Sequence, residues 1–179
     1  EEAFAWHQWL LRAAAGSPAN MQIMYGIMGQ RRLLEWEATW LPGYEGAKPV
    51  RVGNAAHAQL QLDVYGELID AFHQWRTAKL GLDETSWALE CAVLQHLAER
   101  WDQPDHGIWE RRGDGKHYVF SKVMAWVAFD RGIKSAERFG FKAPIERWKI
   151  LRDAICRDVC EKGFDIAQNA FVESYGSHL

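Results

Sequence analysis

Apolar side chains recur at helical spacing in five stretches of this chain, and Gly- or Pro-marked breaks separate them. The first runs from Glu2 to Ala15, with Phe4, Trp9, Leu10 and Ala13 on one stripe, and stops at Gly16-Ser17-Pro18. No capping residue precedes it, so it reads as a helix entered partway along. The second spans Ala55 to Lys79 behind Asn54 as N-cap, with Leu62, Tyr65, Ile69 and Phe72 inside and Gly81 beyond its end. The third covers Glu84 to Trp101 behind Asp83, burying Trp87, Cys91, Leu94 and Leu97. The fourth covers Val119 to Phe139, with Val123, Trp126, Val127, Ile133 and Ala136 inside and Gly140 as the stop. The fifth has Pro144 in its first turn and Gly163 after its last, and encloses Ile145, Trp148, Leu151, Ile155 and Val159. Four of the five follow residue 53 on short connections, the pattern of successive antiparallel hairpins in an all-α array.

The stretches between them are extended or turned. Met21 to Leu34 carries Gly26 and Gly29, and its apolar residues suit a short strand pair. Leu41-Pro42-Gly43-Tyr44-Glu45-Gly46 is turn chemistry, and Phe164 to Tyr175 reads as extended with a weak turn at Asn169-Ala170. Long excursions at one end of a helical scaffold are where function usually sits.

Composition narrows the class. A chain of 179 residues that is 48% hydrophobic and 25% charged suits one soluble globular domain with a core of its own. A net charge of −3 without a basic block argues against nucleic acid. No stretch has the ~20 apolar residues of a membrane span, and Glu1 to Trp6 does not read as a signal peptide, which points to the cytoplasm. Cys91, Cys156 and Cys160 form no disulfide framework, and the last two, one helical turn apart, read as core packing. His7, His57, His73, His96, His106, His117 and His178 lack metal-ligand spacing, so neither a metal nor another cofactor is expected. No period near 34 residues marks a helical-repeat binding module. Ten Trp are unusual, and indole faces that stack on sugar rings are one use for them.

Against that background Asp105-His106-Gly107-Ile108-Trp109-Glu110-Arg111 gains weight. A Glu directly after a Trp on a Gly-marked loop can place a carboxylic acid beside an aromatic surface, where desolvation favours the protonated form. The alternative is a packed Trp109 and a solvated Glu110.

Several blocks then carry a family resemblance. They are Met24-Tyr25-Gly26-Ile27, Arg31-Arg32-Leu33, Trp40 to Tyr44, Pro49 to Ala56 and Gln59 to Glu67, then Gly107 to Glu110, Ser121 to Ala128 and Ser174 to Ser177. In order and over essentially the whole chain, they resemble the bacterial branch of glycoside hydrolase family 15, which holds glucoamylases, glucodextranases and some trehalases. The resemblance implies an (α/α)6 toroid with the active site in a funnel of loops at one end of its inner helices. It implies hydrolysis of a terminal α-glucosidic bond with inversion, on a maltooligosaccharide, a glucan or trehalose, and Glu110 takes the place of the family's general acid.

Trp40, Arg51, Gln61, Asp63 and Trp109 match positions that would line the funnel. Gln61 and Asp63 would offer hydroxyl-binding groups, or else a cap or buried polar contact to the 41–53 loop. Arg51 would bind sugar or fix its loop through a carboxylate. Lys122 and His117 would hold a substrate hydroxyl, tune Glu110, or serve structure. Two positions depart from the family pattern: Met28 stands where Asp is usual, and Gln30 where Glu is. The family's general base and its aromatic-Arg-Asp helix are not found. Residues 1–179 are therefore expected to be part of the toroid, truncated at both ends. Alone they would be inactive and would self-associate through open helix faces. The rival expectation is a sugar-binding chain without turnover.

Overall fold

The computed structural model describes residues 1–82, 84–111 and 113–177. It is all-α apart from two small two-stranded ladders. The helices are α1 (Glu2–Ala13), α2 (Asp63–Thr77), α3 (Glu84–Ala98), α4 (Val119–Phe139) and α5 (Ile145–Lys162). Strands β1 (Trp36–Glu37) and β2 (Arg51–Val52) pair antiparallel, as do β3 (Phe164–Asp165) and β4 (Ala170–Phe171). The capping reading for Asp83, and His178 among the scattered histidines, lie outside the described residues.

Helix α4 is the spine. It packs along α2 on one side and α5 on another, and α3 touches both α2 and α4. Phe72 and Ile69 of α2, and Leu62 just before it, meet Phe129 of α4 in the centre, with Val93, Leu94 and Leu97 of α3 and Ile155 of α5 also sealed from solvent. Burial on most faces is what an inner helix of a closed array requires. Gly66 sets the spacing of α2 and α4, because a Cβ there would lie 2.3 Å from the Met124 carbonyl oxygen.

Five expectations change. Helix α2 begins at Asp63, not Ala55: residues Ala55–Ala58 form a separate 3-10 turn, whose Ala56 N–H donates to the Asn54 side chain. The cause is tertiary. The Leu60 carbonyl accepts from the His106 N–H, and the Leu62 N–H donates to the Asp105 carboxylate, so the backbone between is committed to another loop.

Among the described residues, Met21 to Leu34 holds no strand. A turn closes there between Gly26 and Gln30, and Arg31 ties the segment to the carbonyls of Ala13, Ala15 and Asn20. The ladder sits later, at Trp36 and Arg51.

On α1 the packed position is His7, which stacks on Trp75 at 4.2 Å, while Phe4 is 57% exposed. Cys156 and Cys160 are exposed, not core, because the buried stripe of α5 is Trp148, Ile155 and Val159, one position away. Val123 is likewise open, since it lines a cleft. Elsewhere the helical stripes lie inside as expected, and the 164–175 segment is a hairpin with Asn169 in the left-handed region (φ 51°). Among the described residues, no helix is long and apolar enough to cross a membrane.

Candidate active site

Three connections converge where α2 and α4 begin. The 105–118 loop contacts the 54–62 segment through His106 and Leu60, and the 171–175 segment through Val119 N–H to Glu173 O (3.0 Å) and Tyr175 N–H to His117 O (2.9 Å). Their anchor is Asp105, which is fully buried. Its backbone pairs with Lys116, and its carboxylate accepts the Leu62 N–H at 2.8 Å. Asp105 thus caps α2 from a distant loop, a role usually filled by a neighbouring residue. Burial raises its pKa, opposed by the hydrogen bond from the Leu62 backbone and by the charge of Lys122.

From this anchor the backbone bends sharply. Gly107 has φ 64°, and a Cβ there would meet the Tyr118 ring at 2.8 Å. Glu110 has φ 50°, a left-handed conformation that costs a non-glycine residue roughly 1–2 kcal/mol. Strain of that kind persists where surrounding contacts overdetermine it. The Glu110 carboxylate is half-buried and accepts a hydrogen bond from Asn54 Nδ2 at 3.0 Å.

Trp109, its neighbour, is 75% exposed, so it neither packs as core nor covers Glu110. It lines a largely apolar cleft of about 350 Å3 with Ile108, Tyr118, Phe120, Val123 and Phe171, and Glu173 stands on the rim in an ion pair with Arg111. The Glu110 carboxylate faces the 54–61 segment instead.

The other expected residues divide by depth. Trp40 is 70% exposed and stacks on Trp36 with ring centres 5.5 Å apart, forming an open aromatic surface. Arg51 pairs with Glu35 at 3.3 Å and Glu37 at 3.5 Å, which is the loop-fixing contact. Glu35 in turn accepts from the Ala55 N–H beside Asn54 (3.3 Å). Gln61 is buried and donates to Gln59 at 3.4 Å, while Gln59 donates to the Arg111 carbonyl at 3.1 Å.

Lys122 is sealed from solvent, and its ammonium donates to the Trp101 carbonyl at 2.6 Å and to that of Gln103. Burial lowers its pKa to about 8, with Asp105, Asp102 and Asp158 opposing. It fastens the 101–103 turn beneath the loop. His117 stacks on Tyr175 at 5.8 Å, and burial lowers its pKa. Sequence reasoning missed the second role of Asn54 and gave no role to Glu35, Gln59, Arg111 or Glu173. Asn54 and Gln59 lay within the family-like blocks; Glu173 had no local signal.

Asp63 is the most perturbed carboxylate of the site. It is buried, one of its oxygens has no hydrogen-bond partner, and its pKa is raised to about 6. Burial is the main cause; backbone hydrogen bonds oppose it, while Asp105 and Glu67 add to it. The folded form therefore holds a proton that the unfolded form releases, and stability falls as pH rises from about 3.8 to about 6. Replacing Asp63 with Asn removes that cost. Denaturant unfolding of Asp63→Asn should show a gain of about 3 kcal/mol at pH 7.5, from about two pKa units, and no gain at pH 3.5. An equal effect at both pH values would refute the linkage.

Among the described residues, no group of three or more His, Cys, Asp or Glu is placed to hold a metal ion. Residues 1–178 match the sequence profile of Glycosyl hydrolases family 15. The Trehalase of Mycobacterium tuberculosis (strain ATCC 25618 / H37Rv) is 40% identical over 156 residues, 87% of this chain and 23% of that protein. The Trehalase of Thermoplasma acidophilum is 44% identical over 158 residues, 88% of this chain and 27% of that protein. The Trehalase of Thermoplasma volcanium is 42% identical over 148 residues, 83% and 23% of the two chains. The chain thus spans about a quarter of the length of these relatives. No solved structure matches it.

Proposed function

We propose, from the premise that this chain belongs to family 15 of the glycosyl hydrolases, that its full-length protein hydrolyses trehalose with inversion and that Glu110 is the general acid. The observation that carries the reading is Glu110 itself. It is a half-buried carboxylate on strained backbone, held by Asn54, on a loop that Asp105 anchors to the start of α2. In this reaction the Glu110 proton passes to the glycosidic oxygen as the C1–O bond breaks. A water attacks C1 from the opposite face and yields its proton to a second carboxylate, supplied from outside residues 1–179.

The residues around the acid divide the remaining work. Trp40 and Trp109 present indole surfaces for sugar rings. Arg51 and Gln61 shape the segment that faces Glu110. Asp63 and Lys122 act from beneath, through the start of α2 and the 101–103 turn. The helical architecture supports placing these residues in part of an (α/α)6 toroid. Trehalose is preferred to maltooligosaccharides because the relatives above are all named Trehalase. The open Trp36–Trp40 stack favours a second reading for the isolated chain, sugar binding without turnover.

Stereochemistry tests the assignment. Inverting hydrolysis of trehalose, whose two anomeric carbons are both α, releases one α-glucose and one β-glucose before mutarotation mixes them. Proton NMR in the first minutes of a reaction by the full-length protein should show the two anomers in equal amounts. Two α-glucoses would rule out inversion, and faster cleavage of maltose than of trehalose would rule out the preferred substrate.

A further inference from the structure

The outward side of α5 carries two cysteines that the hydrolytic reading does not use. Cys156 and Cys160 stand four residues apart in an unbroken α-helix, and both are exposed. Free cysteine is among the most buried residue types, so two open thiols on one helix are unusual. Their neighbours on that side, Asp153, Arg157 and Glu161, are exposed and charged, whereas Trp148, Ile155 and Val159 fill the buried stripe. The thiols therefore lie on a solvated face and not on one built for packing.

Residues four apart on a helix project only about 40° apart around its axis, with Cβ atoms about 5–6 Å from each other. That gap is wider than the roughly 3.5–4.5 Å between Cβ atoms that a disulfide requires, so the intact helix keeps the pair as a dithiol. One further atom between the sulfurs lengthens the bridge enough to close it. Among the described residues, no group of three or more His, Cys, Asp or Glu is placed to hold a metal ion, so these thiols have no further ligand beside them. The pair suits an element that two sulfurs satisfy.

We propose that Cys156 and Cys160 form a capture site for trivalent arsenic, as arsenous acid or an organic arsenous acid, R–As(OH)2. Two S–H and two As–O bonds break, two As–S bonds form, and each thiol proton leaves with a hydroxyl as water. Arsenic stays trivalent, so no oxidant or reductant takes part. The step consumes thiols and not thiolates. Desolvation, then the neighbouring Cys156 and Glu161, raises the Cys160 pKa, so its proton is in place at neutral pH. A divalent metal ion would first have to displace that proton. Cys91 is no rival, being half-buried on α3 with no second thiol in that helix.

Phenylarsine oxide, which hydrates to the arsenous acid, is the probe. The reduced full-length protein is treated with it and washed with excess glutathione, and intact-mass spectrometry counts the groups that stay. The native protein should retain one phenylarsenic group more than Cys156→Ser or Cys160→Ser, and dithiothreitol should release it. The second As–S bond forms at the high effective concentration of a tethered partner. In either variant the glutathione concentration that strips half the adduct should therefore fall by about 10²-fold or more. Both side chains are exposed, so neither change disturbs the fold. Cys160→Ser/Glu161→Cys keeps two thiols but sets them about 140° apart around the helix, and it should behave as the single variants do. Cys91→Ser should keep the group. The proposal fails if no such group is retained, or if its loss follows Cys91→Ser instead. It fails equally if either single variant or the respaced pair retains it as the native protein does. Each readout is a mass, so none depends on the hydrolytic assignment.

Discussion

Glu110→Gln should reduce trehalose turnover by the full-length protein by about 10²–10⁴-fold, the usual contribution of a positioned general acid. The loss should fall on kcat. Glutamine keeps an oxygen that accepts from Asn54 Nδ2, so the loop geometry and KM should stay within about threefold. A substrate whose leaving group needs no proton separates chemistry from structure. α-Glucosyl fluoride departs as fluoride, so the variant should cleave it at close to the native rate. A variant equally slow on both substrates would show that Glu110 shapes the site and does not protonate the leaving oxygen. Full trehalose turnover in Glu110→Gln would remove the acid from this loop altogether.

The sequence discloses Glu110 more readily than its surroundings, for physical reasons. The Trp-Glu dipeptide lies within one short family-like block and needs no tertiary information to be noticed. The contacts that hold it in place join residues far apart in the chain: Asn54 with Glu110, Leu62 with Asp105, Arg111 with Glu173. No local pattern encodes such pairings.

Helix boundaries follow the same division. The C-terminal end of α4 is legible because Gly140 takes a left-handed position (φ 73°), which glycine adopts without a Cβ penalty. The start of α2 is not, because a buried carboxylate from another loop decides it. Likewise the 21–34 segment has strand-like composition, yet in place of a ladder Gln22 donates to the Arg31 carbonyl and the Arg31 side chain ties the segment to the Ala13 and Asn20 carbonyls. Trp109 was legible as an aromatic beside the acid, but its exposure at the tip of a loop was not.

At the other end of α2, Arg76→Met alone should destabilise the protein by about 3–5 kcal/mol, a fall of about 6–20 °C in Tm for a domain of this size. Arg76 and Glu90 form an ion pair between α2 and α3, with side chains 1% and 0% exposed. Arg76 also donates to Ser86 Oγ at 3.0 Å and lies 5.6 Å from the Trp87 ring centre and 5.2 Å from that of Phe141. Removing the cation takes the charged partner from a carboxylate in a dry interface, and that desolvation penalty, more than the attraction lost, makes the effect large. The double variant Arg76→Met/Glu90→Leu removes both charges and should recover to within about 2 kcal/mol of the native protein. Thermal unfolding of the native, single and double forms gives the coupling, and additive losses would mean that the pair is not the source. Arg76 stands one residue before the end of α2, whereas Asp63 and the Glu110 loop are at its start. Turnover per folded molecule should therefore survive both changes, which separates the end of the helix pair that holds the fold from the end that holds the acid.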